Sequence, residues 1–202
     1  MQRRRELMGM QSELPGAYRK IEYLQTDGDQ YITGISVTLD GNPITLYCQY
    51  KLLDIKPYGP HIFSIGQYSL WLVNRSNGSL RSVYSINGSS YGYSTNAPLD
   101  TVITAKIENG YGTIGDIGEP FEVPAPNAGT TSCAVFTYVF SASSNTYRAA
   151  MVLYSLKIDG ANGPVLNLVP CVRKSDSKPG MYDTVSKTFY TNAGTGEFIV
   201  PS

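Results

Sequence analysis

The alternation of apolar and polar residues predicts that most of this chain is built from β-strands. The pattern is clearest where one set of alternate positions is apolar: Ile44, Leu46, Cys48, Tyr50 and Leu52. Alternate residues of a strand lie on opposite faces, so this segment has one buried face and one wetter face, which carries Thr45, Tyr47, Gln49 and Lys51. The same pattern predicts a strand over 147–158, with one face formed by Ala150, Val152, Tyr154, Leu156 and Ile158.

Turn signals separate the predicted strands at short intervals. Tight hairpins are predicted at Gly66-Gln67, Asn77-Gly78, Asn87-Gly88 and Asn109-Gly110. Asn-Gly favours such turns because both central residues need a positive φ. Other turns are predicted at 159–160, 180–183 and 192–196. No segment after residue 16 shows a sustained helical period, so the pattern predicts an all-β fold, an antiparallel sandwich of two sheets.

The beginning of the chain differs from the rest. Residues 1–16 lack the strand pattern and end in Pro15-Gly16, so we predict an N-terminal tail at 1–16 and a single β-sandwich domain at 17–202. The tail carries the basic run from Arg3 to Arg5, interpreted as a solvated segment or as an anchor to another protein. It lacks the apolar stretch of a secretory signal, and no run is long enough for a membrane helix.

Charge and cysteine content narrow the class of protein. Lysine and arginine total 16, aspartate and glutamate total 16, and the net charge is therefore zero, which predicts no nucleic-acid partner. The three cysteines are Cys48, Cys133 and Cys171, and no two have a metal-ligand spacing. We interpret them as three buried, reduced thiols, with one disulfide and one free thiol as the alternative.

The residues needed for catalysis are scarce, so we predict no enzyme and no catalytic or metal site. His61 is the only histidine, and its place before a short apolar run indicates the start of a strand. Glu119 and Glu122 are three residues apart, which on a strand separates them onto opposite faces. Asp27 and Asp29 flank a turn glycine and predict an Asx-turn. A calcium ion there is the alternative, and no other cofactor is predicted.

Both ends of the chain carry recognisable segments, YRKIEYLQTDGDQYITGI and LNLVPCVRKSDSKPGMYDTVSKTFYTNAGTGEF. They resemble a concanavalin-A-like, laminin-G-like sandwich module of bacteriophage and prophage tail-associated proteins. The resemblance implies a jelly-roll sandwich closed by its first and last strands, so both segments are framework. Pro170 places the strand around it near a sheet edge, because proline cannot donate to a central ladder. The polar turn from Arg173 to Asp176 is the part of these segments open to a ligand.

The resemblance implies a non-catalytic module that binds a host surface glycan or receptor. It also implies assembly in the cytoplasm of a bacterium, a place in the phage tail of the virion, and other tail proteins as partners. Aromatic and planar polar side chains suit sugars, and the candidates are Tyr68, Trp71, Arg81, Tyr84, Tyr91 and Tyr93, beside Asn74 and Asn87. One alternative is a structural domain of a homo-oligomeric tail appendage without a ligand. A divergent glycoside hydrolase is a further alternative, disfavoured by the missing carboxylate set.

Overall fold

The computed structural model describes residues 14–54, 60–66, 68–74, 80–86, 89–93, 98–115, 119–138 and 148–201. For Tyr68 and for the described residues between 71 and 93 it describes the backbone only. The strands are β1 (Tyr18–Lys20), β2 (Leu24–Thr26), β3 (Ile32–Leu39), β4 (Thr45–Leu52), β5 (His61–Ile65), β6 (Tyr68–Asn74), β7 (Leu80–Ile86) and β8 (Ser89–Tyr93). They continue as β9 (Val102–Glu108), β10 (Tyr111–Ile114), β11 (Phe121–Glu122), β12 (Gly129–Val135), β13 (Met151–Gly160), β14 (Gly163–Arg173), β15 (Pro179–Asp183) and β16 (Thr188–Thr191).

These strands form two antiparallel sheets. The ten-stranded sheet has the order β11-β10-β9-β4-β13-β14-β15-β16, with β1 paired to β14 and β2 paired to β13. The six-stranded sheet has the order β3-β12-β5-β6-β7-β8. The described ranges contain no helix, and hence none long and apolar enough to cross a membrane. The all-β, two-sheet sandwich is therefore confirmed, while its jelly-roll form stays a prediction. The arginine run of the tail lies outside the described residues.

One hydrophobic core lies between the facing sides of the two sheets. The ten-stranded sheet contributes alternate residues of β4 and β9, among them Leu46, Cys48, Tyr50, Ile103, Ala105 and Ile107. The six-stranded sheet contributes residues of β3, β5 and β12, among them Ile35, Val37, Phe63, Ile65 and Val135. Burying each large aliphatic or aromatic side chain stabilises the fold by about 1.5–3 kcal/mol. The predicted buried face of β4 is confirmed at all five positions.

The predicted face of β13 is wrong in its first half. A β-bulge between Leu153 and Ser155 shifts the register of β13 against β4. Before the bulge the core residues are Met151 and Leu153, and after it they are Leu156 and Ile158. Ala150 and Tyr154 are half-buried, and Val152 is buried outside the main core cluster. A bulge adds one residue to one strand, so an unbroken period of two cannot hold on both sides of it.

The predicted hairpins are confirmed where the structure describes them. Asn109 and Gly110 join β9 to β10 with φ values of 53° and 78°, the positive pair that an Asn-Gly turn requires. The register also pairs β5 with β6, β6 with β7, and β7 with β8, as consecutive hairpins would. The turn residues 67, 75–79 and 87–88 lie outside the described residues.

Two predicted turns are strands instead. Strand β13 continues through Asp159 to Gly160, which pairs with Gly163, because a second bulge after Ile158 lets the ladder continue. The 180–183 segment belongs to the buried strand β15. Gly180 is required there by close approach rather than by a turn, because a Cβ at this position would collide with the carbonyl oxygen of Tyr190. The predicted turn at 192–196 is confirmed.

Pro170 does not mark a sheet edge, so that prediction is wrong. Its strand, β14, has β15 on one side and β13 and β1 on the other. The pairing with β13 stops at Leu168 and the pairing with β1 starts at Cys171, so Pro170 lies at the junction of the two partners. Its carbonyl accepts a hydrogen bond from the Ile21 N–H at 3.1 Å. An interior strand tolerates proline here because no ladder partner faces its missing N–H.

The two ends of the chain are joined by a polar cluster that we call the terminal clasp, formed by Thr26, Gln30, Tyr31, Asn192 and Thr195. The Gln30 side chain is 2% exposed; its Oε1 accepts from Thr26 Oγ1 at 3.1 Å and from the Asp27 N–H at 3.0 Å. Its Nε2 donates to the Thr195 carbonyl at 3.1 Å. Both polar atoms of this buried amide therefore have partners, as burial demands.

Asn192 provides the other half of the terminal clasp. Its Oδ1 accepts from the Tyr31 N–H at 3.1 Å and from the Gly194 N–H at 2.8 Å. The Ala193 N–H donates to the Tyr31 carbonyl at 2.8 Å, which adds a backbone link between the same two segments. A Cβ on Gly194 would meet the Asp29 carbonyl oxygen and the Tyr31 ring, so only glycine fits. The resembling segments at the two ends thus meet in a structural role.

The three cysteines are free and buried, which confirms the prediction of reduced thiols. Cys48 lies on the inner face of β4 and Cys133 in β12, and burial raises the pKa of both thiols far above their ordinary value. Burial also raises the pKa of Cys171 to about 12. None of the three is a thiolate at neutral pH, so none is a reactive nucleophile.

Candidate functional site

The six predicted ligand residues occupy neighbouring strands of the six-stranded sheet. Tyr68 and Trp71 belong to β6, Arg81 and Tyr84 to β7, and Tyr91 and Tyr93 to β8, the last strand of that sheet. Their side chains, and those of Asn74 and Asn87, lie outside what the structure describes. The backbone register nevertheless fixes their positions, and it brings the six residues onto one three-stranded meander.

The register divides these six positions into two sets. One cross-strand row contains Leu70, position 84 and position 91. The neighbouring row contains position 71, Val83 and position 93. Adjacent cross-strand rows belong to opposite faces of a sheet. Positions 71, 81 and 93 therefore fall in one set of rows, and positions 68, 84 and 91 fall in the other with the fully buried Leu70. The six positions are therefore divided between the two faces of the sheet, and the register does not bring them together as one site.

A second candidate lies on the outer face of the ten-stranded sheet. There a groove of about 490 Å³ crosses β4, β9 and β10, and we call it the outer groove. The lining side chains used below are Tyr47, Thr101, Val102, Thr104, Lys106 and Thr113. The same strands bury Leu46, Cys48, Ala105 and Ile114 on their other face. Strict alternation thus places the groove residues on the side away from the core.

Cross-strand pairing brings the groove residues together. Tyr47 pairs with Lys106, which pairs with Thr113 on the next strand, so the three form one row. The Lys106 amine lies 5.9 Å from the centre of the Tyr47 ring, within cation–π range. Thr104 belongs to the adjacent outer row, and Val102 is 46% exposed at the end of β9. The groove therefore combines an aromatic ring, an exposed apolar side chain, hydroxyls and an amine.

The sequence alone indicated some of the residues of the outer groove. Alternation in β4 assigns Tyr47, Gln49 and Lys51 to the wetter face, but it does not say which residues lie beside them. Lys106 and Thr113 reach Tyr47 only through pairing across strands that are about 60 residues apart in the chain, a long-range contact that local periodicity does not encode.

Arg173 and Asp176, predicted to be open to a ligand, form a bidentate pair with each other. Arg173 Nε donates to Asp176 Oδ1 at 3.0 Å, and Nη2 donates to Oδ2 at 2.6 Å. The hydrogen bonds from Arg173 lower the pKa of Asp176 to about 2. Lys174 Nζ donates to the Gly16 carbonyl at 2.7 Å. These groups bind the chain itself, which favours a structural role for the turn.

The acidic residues and the histidine are likewise placed in structural settings. His61 starts β5, is buried, and has its ring centre 4.7 Å from that of Tyr138. The Asp29 N–H donates to Asp27 Oδ1 at 3.1 Å, which confirms the predicted Asx-turn. Asp183 is 2% exposed and accepts from three backbone N–H groups, those of Asn167, Val185 and Ser186. In the described part of the chain, no three His, Cys, Asp or Glu side chains are grouped as metal ligands.

No family model matches the chain, and no curated protein matches its sequence.

Proposed function

We propose that the protein is a non-catalytic module of a phage or prophage tail that binds a glycan on the host surface. The observation that carries the proposal is the outer groove. It places the Tyr47 ring beside hydroxyl groups and an amine on a solvent-facing sheet. Carbohydrate sites use this combination, because the ring stacks on the C–H face of a sugar while polar groups bind its hydroxyls. The resemblance of the two chain ends to tail-associated modules supports the setting.

The proposal is tested by binding of the purified chain to an array of bacterial surface polysaccharides. Replacing Tyr47→Ala removes the stacking surface and lowers affinity by at least about tenfold, since truncating a tyrosine at the centre of a contact commonly costs about 2 kcal/mol. Tyr111→Ala is the matched control, because Tyr111 is 51% exposed on β10 but does not line the groove. Equal loss in both variants, or no loss in either, contradicts a site at Tyr47.

Trp71→Ala separates the two candidate surfaces in the same assay. Loss of binding in this variant, with Tyr47→Ala unaffected, places the site on the β6–β8 meander. Absence of binding to every polysaccharide, combined with a trimer in size-exclusion chromatography, favours the assembly domain of a homo-oligomeric appendage instead. Mass spectrometry of purified virions tests the setting independently, and detection of the chain in tail fractions is the expected result.

A further inference from the structure

Three lysines surround Tyr47 on the outer face of the ten-stranded sheet, and two of them are neutralised. Lys157 pairs with Tyr47 from the β13 side and forms an ion pair with Asp159 at 2.7 Å. Lys51 lies four residues further along β4, on the same face, and forms an ion pair with Asp100 at 3.7 Å. Lys106 is exposed and has no carboxylate within ion-pair distance among the residues that the structure describes.

Among the described residues that line the outer groove, none has an acidic side chain. Lys106 is the only charged residue of this described lining, and the rest are threonines, apolar residues, a tyrosine and a glycine. The described lining therefore presents one positive charge without a counter-charge, although the whole chain has a net charge of zero. A ligand with one negative charge per repeating unit would complement it.

We propose that the glycan bound in the outer groove is anionic, with a carboxylate or a phosphodiester held by Lys106. The inference rests on the proposed glycan-binding function and adds the charge class of the sugar. Tyr47 stacks on the sugar ring, and the Thr104 and Thr113 hydroxyls bind its hydroxyl groups. The Lys106 ammonium donates to the anion, and this charge-assisted hydrogen bond is stronger than one to a neutral group.

The test compares acidic polysaccharides with counterparts that lack the negative charge. Polygalacturonate, alginate and polysialic acid are each compared with their methyl esters, and a glycosylated poly(ribitol phosphate) is compared with its free neutral sugar. Affinities are measured by biolayer interferometry for the full chain, for Lys106→Gln and for the control Lys20→Gln. Lys20 is an exposed lysine of β1 in the same sheet, outside the groove.

We expect at least one acidic polymer to bind about five- to tenfold more tightly than its neutral counterpart, a ratio typical of one charge-assisted hydrogen bond. Lys106→Gln removes this difference and leaves the affinity for the neutral form unchanged, whereas Lys20→Gln changes neither. The acidic preference also weakens as salt rises from about 0.05 M to about 0.5 M, because exposed charges are screened. The arm that responds identifies the carboxylate or the phosphate as the source of the charge.

Three results overturn the proposal in distinguishable ways. If neutral and acidic forms bind equally, or if Lys106→Gln keeps the preference, the charge assignment is wrong while glycan binding at Tyr47 stands. If no polymer of the panel binds and neutral polysaccharides on the array do, the ligand is neutral. If neither set binds, the proposed function itself fails together with the inference.

Discussion

The terminal clasp and the outer groove are both rich in polar side chains, and they differ in what those side chains bind. In the clasp, the amide groups of Gln30 and Asn192 bond to groups on the opposite end of the chain, and Gln30 is buried. In the groove, the Lys106 amine and the Thr104 and Thr113 side chains lie on a face that the core does not cover. Polar groups satisfied within the chain hold the fold together, whereas those directed at solvent remain available to a ligand.

The comparison also explains why recognisable sequence and candidate function lie apart. The two end segments of the chain build the clasp and the strands around it, where Gly180 and Gly194 are dictated by close backbone approach. The groove is formed by β4, β9 and β10 from the middle of the chain. The fold requires of the groove positions only that they alternate with buried residues and face solvent. Many different side chains are therefore compatible with the fold at these positions.

The largest expected difference in stability lies between truncating a glutamine of the clasp and truncating a glutamine on the outer face of β4, outside the groove lining. Gln30→Ala removes three hydrogen bonds and leaves the Asp27 N–H and the Thr195 carbonyl without this partner in a partly buried setting. It is expected to lower the free energy of unfolding by about 2–4 kcal/mol. Gln49→Ala, on the outer face of β4, is expected to change it by less than about 0.5 kcal/mol. Urea denaturation followed by fluorescence measures both, and equal effects would break the distinction between the regions.

A smaller difference in the free energy of unfolding is expected between alanine variants of one tyrosine from each region. The Tyr31 ring packs against the core and under the Arg148 guanidinium, 3.9 Å from the ring centre. Tyr31→Ala is expected to destabilise the fold by about 1–3 kcal/mol, through lost apolar burial and the lost cation–π contact. Tyr47→Ala is expected to cost under about 1 kcal/mol while abolishing glycan binding. Thermal unfolding together with the binding assay measures both properties, and a reversed order would reassign Tyr47 to the framework.

The smallest effect is expected at Asp176, which is hydrogen-bonded but exposed. Its pKa is lowered from 3.8 to about 2, so its stabilising contribution is present above pH 4 and is lost as the pH falls towards 2. Asp176→Asn is therefore expected to be slightly less stable than the parent chain at pH 7, with the difference disappearing near pH 2. Urea titrations at several pH values measure it. A difference that grows with acidity would contradict the assignment of the Arg173 pair as its cause.

Local sequence patterns predicted the strands that depend on local physics. The buried face of β4 and the Asn109-Gly110 turn were predicted because side-chain alternation and positive φ belong to a few neighbouring residues. The pattern failed at β13, where the bulge beside β4 changes the face, and at Pro170, where two partner strands meet inside the sheet. Both failures involve residues distant in sequence, which no local period represents.

The candidate sites show the same contrast between what local sequence patterns predict and what contacts between distant residues decide. The sequence singled out the aromatic positions of β6–β8 and the wetter face that carries Tyr47, but it gave no neighbours to either. Pairing of β4 with β9 and of β9 with β10 joined Tyr47, Lys106 and Thr113 in one row. The same kind of register split positions 71 and 84 between different faces of the other sheet.

By itself, the sequence determined an all-β chain and the Asn109-Gly110 turn, because both follow from local periodicity and turn chemistry. Only the tertiary structure decided which strands are neighbours, and therefore which polar side chains satisfy one another and which face solvent. The physical reason is that hydrogen-bond satisfaction and charge neutralisation depend on distances of a few ångströms in space, which separation along the chain does not fix. Gln30 and Lys106 are both polar residues in a strand-rich sequence. Only their contacts in the folded chain show that Gln30 belongs to the terminal clasp and Lys106 to the outer groove.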